Sequence, residues 1–127
     1  MPVLVDTSVW IDYFRSGDHS ASLDFLIDEN LIVTNDLVLA ELVPFLRVRR
    51  QEKVVDLLYS VKNVGLEIDW DEITEFQYRC LKNGVNGLGI PDLVIAQNAR
   101  QRQCEIYSLD RHFHVMKDIL GLHLIEE

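Results

Sequence analysis

Along this chain, short apolar runs alternate with longer stretches in which apolar residues recur every three or four positions. Short runs suit buried strands and the longer spacing suits one face of a helix, so the alternation predicts βα repetition around a parallel sheet. Five strands are expected, at residues 3–6, 31–33, 66–68, 105–108 and 123–125. Helices are expected at 8–15 and at 20–28, where Leu23, Leu26 and Ile27 share a face, with Gly17 and Asp18 marking the break between them. Asn35 or Asp36 can cap a helix running to about Arg49. A second helix at 51–61, striped by Val54, Val55, Leu58 and Val61, completes a helical hairpin. Pro44 cannot donate to the Ala40 carbonyl and is expected to bend the first of these just beyond Glu41. Further helices are read at 71–82, from Pro91 to near Arg102, and at 111–118, with a glycine-rich connection over 84–89.

No internal repeat, low-complexity tract or linker divides the pattern, so the 127 residues are expected to form one domain spanning 1–127. No apolar run approaches the roughly 20 residues that span a bilayer, and Met1-Pro2-Val3 leads into a strand, so a cytoplasmic protein without a membrane partner is expected. Cys80 and Cys104 have neither disulfide-framework nor zinc-site spacing and read as core thiols.

A formal net charge of −9 argues against a simple nucleic-acid-binding module, which draws affinity from a basic surface. It leaves room for a metal-dependent nuclease, because divalent ions held by converging acids attract phosphate locally. Positive charge is bunched at Arg47, Arg49, Arg50 and Lys53, and again at Arg100, Arg102 and Arg111. These are either phosphate-facing patches or solvated helix ends.

Four acids stand out by position. Asp6 closes the first apolar run, Glu41 interrupts an apolar helix, Asp92 opens a helix after Ile90-Pro91, and Asp110 follows Ile106-Tyr107-Ser108-Leu109. In an open parallel sheet, ligands bind beyond the carboxyl ends of the strands, where all four acids can meet in one cleft. Clustered carboxylates suit hard cations. Each acid also has a plainer reading: Asp6 and Asp110 as caps, Asp92 as an acid favoured in a helical first turn, Glu41 as a surface charge. Glu41 fits its plainer reading least, because Leu37, Val38, Pro44 and Phe45 surround it and desolvation of an unpaired carboxylate is costly. Gly84, Gly87 and Gly89 follow no phosphate-loop order. His112 and His114 lie two apart on a helix and do not read as a metal pair. Trp10, Tyr13 and Phe14 read as core or interface before base-stacking residues.

The segments Val3-Leu4-Val5-Asp6-Thr7-Ser8-Val9, Leu39-Ala40-Glu41-Leu42, Ile90-Pro91-Asp92-Leu93-Val94-Ile95-Ala96 and Ser108-Leu109-Asp110-Arg111-His112-Phe113 resemble, in order, the motifs of PIN-domain ribonucleases, and most of all those of VapC-type toxins. The resemblance spans nearly the whole chain. It implies a three-layer α/β/α sandwich on a parallel sheet and a metal site of Asp6, Glu41, Asp92 and Asp110. It further implies hydrolysis of RNA to a 5′-phosphate and a 3′-hydroxyl, and a cognate VapB-like antitoxin. Mg²⁺, with Mn²⁺ as a substitute, is the expected cofactor, Thr7, Ser8 and Ser108 are supporting residues, and a homodimer is expected. The family often carries a further acid two positions after the last one. This chain has His112 there, so no metal role transfers to that position.

Rival readings fit fewer residues. A haloacid-dehalogenase-like phosphatase needs a second Asp where Ser8 stands, and a response-regulator receiver needs paired acids that are missing. A metal-dependent adhesion motif begins at Asp6-Thr7-Ser8 and fails at Trp10. A PIN-like or metal-dependent binding module without nuclease activity is the alternative kept.

Overall fold

The computed structural model describes residues 1–126. The strands β1 (Val3–Val5), β2 (Ile32–Thr34), β3 (Lys62–Asn63) and β4 (Glu105–Tyr107) form one sheet in the order β3-β2-β1-β4, all neighbours parallel. Every residue of β1 and β2 is buried, so both strands are uninterrupted apolar runs apart from Thr34, as a sheet covered on both faces requires. Among the described residues seven helices flank it: α1 (Thr7–Arg15), α2 (Ser22–Asp28), α3 (Asp36–Val48), α4 (Glu52–Ser60), α5 (Trp70–Lys82), α6 (Ile90–Gln101) and α7 (Arg111–Leu120). The helices α1, α3 and α4 pack on one another, as do α5, α6 and α7, which gives the expected α/β/α layering.

Two strands depart from expectation. The third lies at Lys62–Asn63, not at 66–68. It is placed by Val64, whose N–H donates to the Thr34 carbonyl at 2.8 Å, and by Asn63, whose side chain bonds Asp36. Residues 66–68 are irregular, and side chains of α6 and of Arg102 just past its end bond the backbone of this crossing segment. Asn98 and Arg102 donate to the Gly65 carbonyl, and Gln101 donates to that of Glu67. The expected fifth strand contracts to a single parallel bridge between Ile106 and Leu124, flanked by Ile106 N–H to His123 and Ile125 N–H to Ile106. At Gly121, the left-handed backbone (φ 68°) that glycine adopts readily stops α7 just before this segment.

The core explains the aromatic cluster. Trp10 is fully buried, stacks on Phe14 at 5.7 Å between ring centroids and meets Tyr13 edge-on, so it packs the first layer of helices. Cys80 and Cys104 are buried free thiols. Helix α3 continues through Pro44; Ala40, whose carbonyl loses its usual donor, and Pro44 are both exposed.

The chain order places the site. From β1 the chain moves outward to β2 and β3, then returns to β4 on the other side of β1. The carboxyl ends of β1 and β4 therefore bound the switch point, where open parallel sheets form their crevice. Helix α6 is buried on all sides from Leu93 to Ala99, and its two interior polar side chains are matched. Gln97 donates to the Asp69 carbonyl and to Glu72 and accepts from Asp69 N–H. Asn98 joins Asn35 to Gly65. These bonds fix the helix that carries Asp92.

Candidate metal centre

Asp6 follows β1 directly and is only 6% exposed. It occupies the N-cap position of α1 but makes no cap bond with its side chain, so the plain capping account does not apply. Instead its Oδ2 accepts from Ser8 Oγ at 2.7 Å and from Ser108 Oγ at 2.8 Å. Each serine in turn accepts from the loop after β4. Leu109 N–H donates to Ser8 Oγ at 3.0 Å and Asp110 N–H donates to Ser108 Oγ at 2.9 Å. Two hydroxyl relays thus lock the ends of β1 and β4 together around one carboxylate.

Asp110 caps α7 in the ordinary way, accepting from His112 N–H at 2.9 Å, and its carboxylate is half-buried beside the site. Asp92 lies in the first turn of α6, where its Oδ2 accepts weakly from Gly89 N–H at 3.4 Å. Burial, followed by the charge of Asp110, pushes the Asp92 carboxyl above its ordinary value, against the opposing pull of Gly89 N–H and His112. Glu41 has the partly desolvated carboxyl that its neighbours predict. As a residue it is exposed, on the same stripe of α3 as Ala40 and Pro44, while its carboxyl turns toward Thr7, whose Oγ1 donates to Oε1 at 3.4 Å. Loss of water, then the charge of Asp6, raises the Glu41 carboxyl, with Asp92 adding a smaller push in the same direction. Glu41 thus feels Asp6 and Asp92, and Asp92 feels Asp110, so the four acids share one electrostatic neighbourhood.

Among the described residues, no Lys or Arg forms an ion pair with any of these four acids. Other basic side chains are engaged elsewhere. Arg49 lies over the Phe45 ring, Arg100 over Phe76, and Arg102 bonds Gly65 and Glu67. The side chain that meets the acids is a histidine. His112 Nδ1 lies 3.3 Å from Asp92 Oδ2 and 3.4 Å from Asp110 Oδ1. Ligand atoms of Asp92, Asp110 and His112 all fall within 4.8 Å of one another, while Asp6 and Glu41 stand outside that trio. Sequence reasoning set His112 aside because it stands where the family often has a further acid and because it does not pair with His114. The available signal was its place two residues after a capping acid, where its N–H meets the cap carboxylate and its ring is carried to the same site. Hard carboxylate oxygens without a paired Lys or Arg among the described residues, two of them raised first by burial and then by a neighbouring acid, form a donor set that fits a divalent cation.

The sequence profile of the PIN domain matches residues 3–119. The chain belongs to the PIN domain family. No curated protein matches it in sequence. Solved structures share the fold at low identity. The chain is similar to VapBC2 from Rickettsia felis bound to a promoter DNA fragment, at 20% identity and a TM-score of 0.76, covering 98% of each chain. It is similar to FitAcB from Neisseria gonorrhoeae at 18% identity and a TM-score of 0.73, covering 98% of this chain and 96% of that one. The sarcin–ricin loop cleaving toxin VapC20 from Mycobacterium tuberculosis aligns at 16% identity and a TM-score of 0.61, covering 88% of this chain and 92% of that one.

Proposed function

We propose that this PIN-domain protein is a divalent-metal-dependent endoribonuclease and the toxin of a VapBC-like pair. The observation that carries the reading is the grouping of Asp92, Asp110 and His112 donor atoms within 4.8 Å of one another, with Glu41 feeling the charges of Asp6 and Asp92 and, among the described residues, no lysine or arginine paired to these acids. Asp6 and Asp92 hold the principal ion, Mg²⁺ or Mn²⁺, and Glu41 and Asp110 complete its surroundings. When bound, such an ion supplies charge for the phosphodiester and lowers the cost of deprotonating water. The protein's own part is positioning. Ser8 and Ser108 hold Asp6 in one orientation, and Thr7 holds Glu41. Glu41, which accepts from Thr7 Oγ1 at 3.4 Å, would be oriented beside the ion and the attacking water. RNA hydrolysis on this plan leaves a 5′-phosphate and a 3′-hydroxyl.

Similarity to VapBC and FitAcB structures supports an antitoxin partner, and similarity to VapC20 supports a looped RNA substrate. Exposed Phe25, Val48, Leu57 and Tyr59 on α2 and the α3–α4 hairpin offer the antitoxin an apolar surface. Trp70, Tyr78, Leu81 and Ile90 form a second exposed apolar group beside Asp92, suited to a second copy in a homodimer. Among the described residues no helix is long and apolar enough to cross a membrane. The proposed site of action is the cytoplasm.

The test is cleavage of purified transfer, ribosomal and messenger RNA by the free protein. Cleavage should stop in a chelator, return with Mg²⁺ or Mn²⁺, and slow when the antitoxin is added. RNA left intact in both metals would favour the non-catalytic binding module.

A further inference from the structure

His112 stands where its ring nitrogen faces two of the acids, and it is fixed there by more than its side chain. Its backbone N–H donates to Asp110 Oδ1 at 2.9 Å, and Nδ1 lies 3.3 Å from Asp92 Oδ2 and 3.4 Å from Asp110 Oδ1. Two ligands at right angles on one ion, each roughly 2.1 Å from it, are themselves separated by roughly 3 Å. Nδ1 therefore lies at close to the spacing of neighbouring ligands from each carboxylate oxygen, and all three donor atoms fall within 4.8 Å of one another. His112 is also partly open to solvent, with 41% of its side chain exposed, so an ion can reach it directly.

We propose that His112 is a nitrogen ligand of this centre, making it a mixed nitrogen–oxygen site that prefers Mn²⁺ to Mg²⁺. The inference rests on the reading of Asp92 and Asp110 as metal ligands. Mg²⁺ keeps oxygen ligands and water, whereas imidazole suits transition ions, and affinity for nitrogen-containing sites rises along the first-row series that Mn²⁺ begins. The competing role for His112 is that of a hydrogen-bond donor that steadies the two carboxylates. In that case Nδ1 carries a proton toward the oxygens and contacts no ion.

Pulsed electron paramagnetic resonance of Mn²⁺ bound to the metal-stripped full chain separates the two roles, because a coordinated imidazole modulates the manganese echo through its ¹⁴N nucleus. The wild-type protein should show that modulation, and His112→Gln and His112→Asp should lose it. Competition between the ions should show His112→Asp, with an all-oxygen site, losing about tenfold of the preference for Mn²⁺. Mn²⁺ bound to the wild type without ¹⁴N modulation, or modulation that persists in His112→Gln, overturns the assignment. If binding is still lost in Asp92→Asn in that case, the carboxylate centre survives without its histidine. Absence of Mn²⁺ binding by the wild type overturns both.

Discussion

Replacing Ser108 by Ala removes two bonds at once. Its hydroxyl donates to Asp6 Oδ2 at 2.8 Å and accepts from Asp110 N–H at 2.9 Å, and both Ser108 and Asp6 are buried. A hydrogen bond to a charged group contributes about 1.5–3 kcal/mol, and an amide left without a partner costs about 1 kcal/mol more. Ser108→Ala should thus lose about 2–4 kcal/mol, which for a chain of this length lowers the thermal midpoint by on the order of 10 °C. Ser8→Ala is the internal comparison. It removes a 2.7 Å bond to the same Oδ2, but the amide it frees belongs to exposed Leu109, where water can replace the hydroxyl. Ser8→Ala should therefore lose less. Because both hydroxyls serve one oxygen atom, the double variant should depart from additivity by about 0.5–3 kcal/mol. Urea unfolding of the four proteins in chelator measures all of this. A loss below about 0.5 kcal/mol for Ser108→Ala, or strict additivity, would refute the claim that the two relays hold Asp6.

Asn35→Ala should cost about 2–4 kcal/mol in the same urea assay, since Asn35 caps α3 through Val38 N–H at 2.9 Å and its removal strands the buried Asn98 oxygen; a near-neutral effect would refute the account of α6 anchoring. Thr34→Val should leave stability unchanged or raised, because Thr34 Oγ1 is buried without a partner; a loss above about 1 kcal/mol would reveal a bond the structure does not contain. The pH dependence has a definite sign. Asp92 is raised in the folded state, so between its ordinary value of 3.8 and its raised value the fold binds more protons than the unfolded chain. Its contribution to stability is then full at acid pH and lost as pH rises through that window. Metal-free Asp92→Asn should accordingly match the wild type at low pH and become the more stable of the two above the window. Thermal melts across pH check it, and a wild-type advantage that grows with pH would contradict it.

Much of the site was legible because strand ends can be read from apolar runs. Asp6 and Asp110 follow two such runs, and a parallel order brings both to one edge. Asp92 was legible from Pro91, which marks a first helical turn. The third strand was misplaced because residues 66–68 look like a strand by composition, while the bonds that decide the matter come from Asn98, Gln101 and Arg102 more than thirty residues later. Apolar neighbours in sequence suggested a partly desolvated Glu41. The residue itself is exposed on α3, but its carboxyl is raised first by loss of water and then by the charge of Asp6, which no neighbour in sequence reveals. No metal role was legible for His112 because its significance is a distance to Asp92, twenty positions away, which the docking of α7 against α6 creates.

The central claim is that these acids form a metal centre that cuts RNA. Its most direct measurement is the single-turnover cleavage rate of one end-labelled RNA in Mn²⁺ by wild type and Asp92→Asn, purified in parallel and shown by circular dichroism to be equally folded. Loss of one carboxylate from the centre should slow cleavage by about 100-fold or more, with 5′-phosphate products from the wild type only. Equal rates from the two proteins would contradict the claim and trace the cleavage to another nuclease.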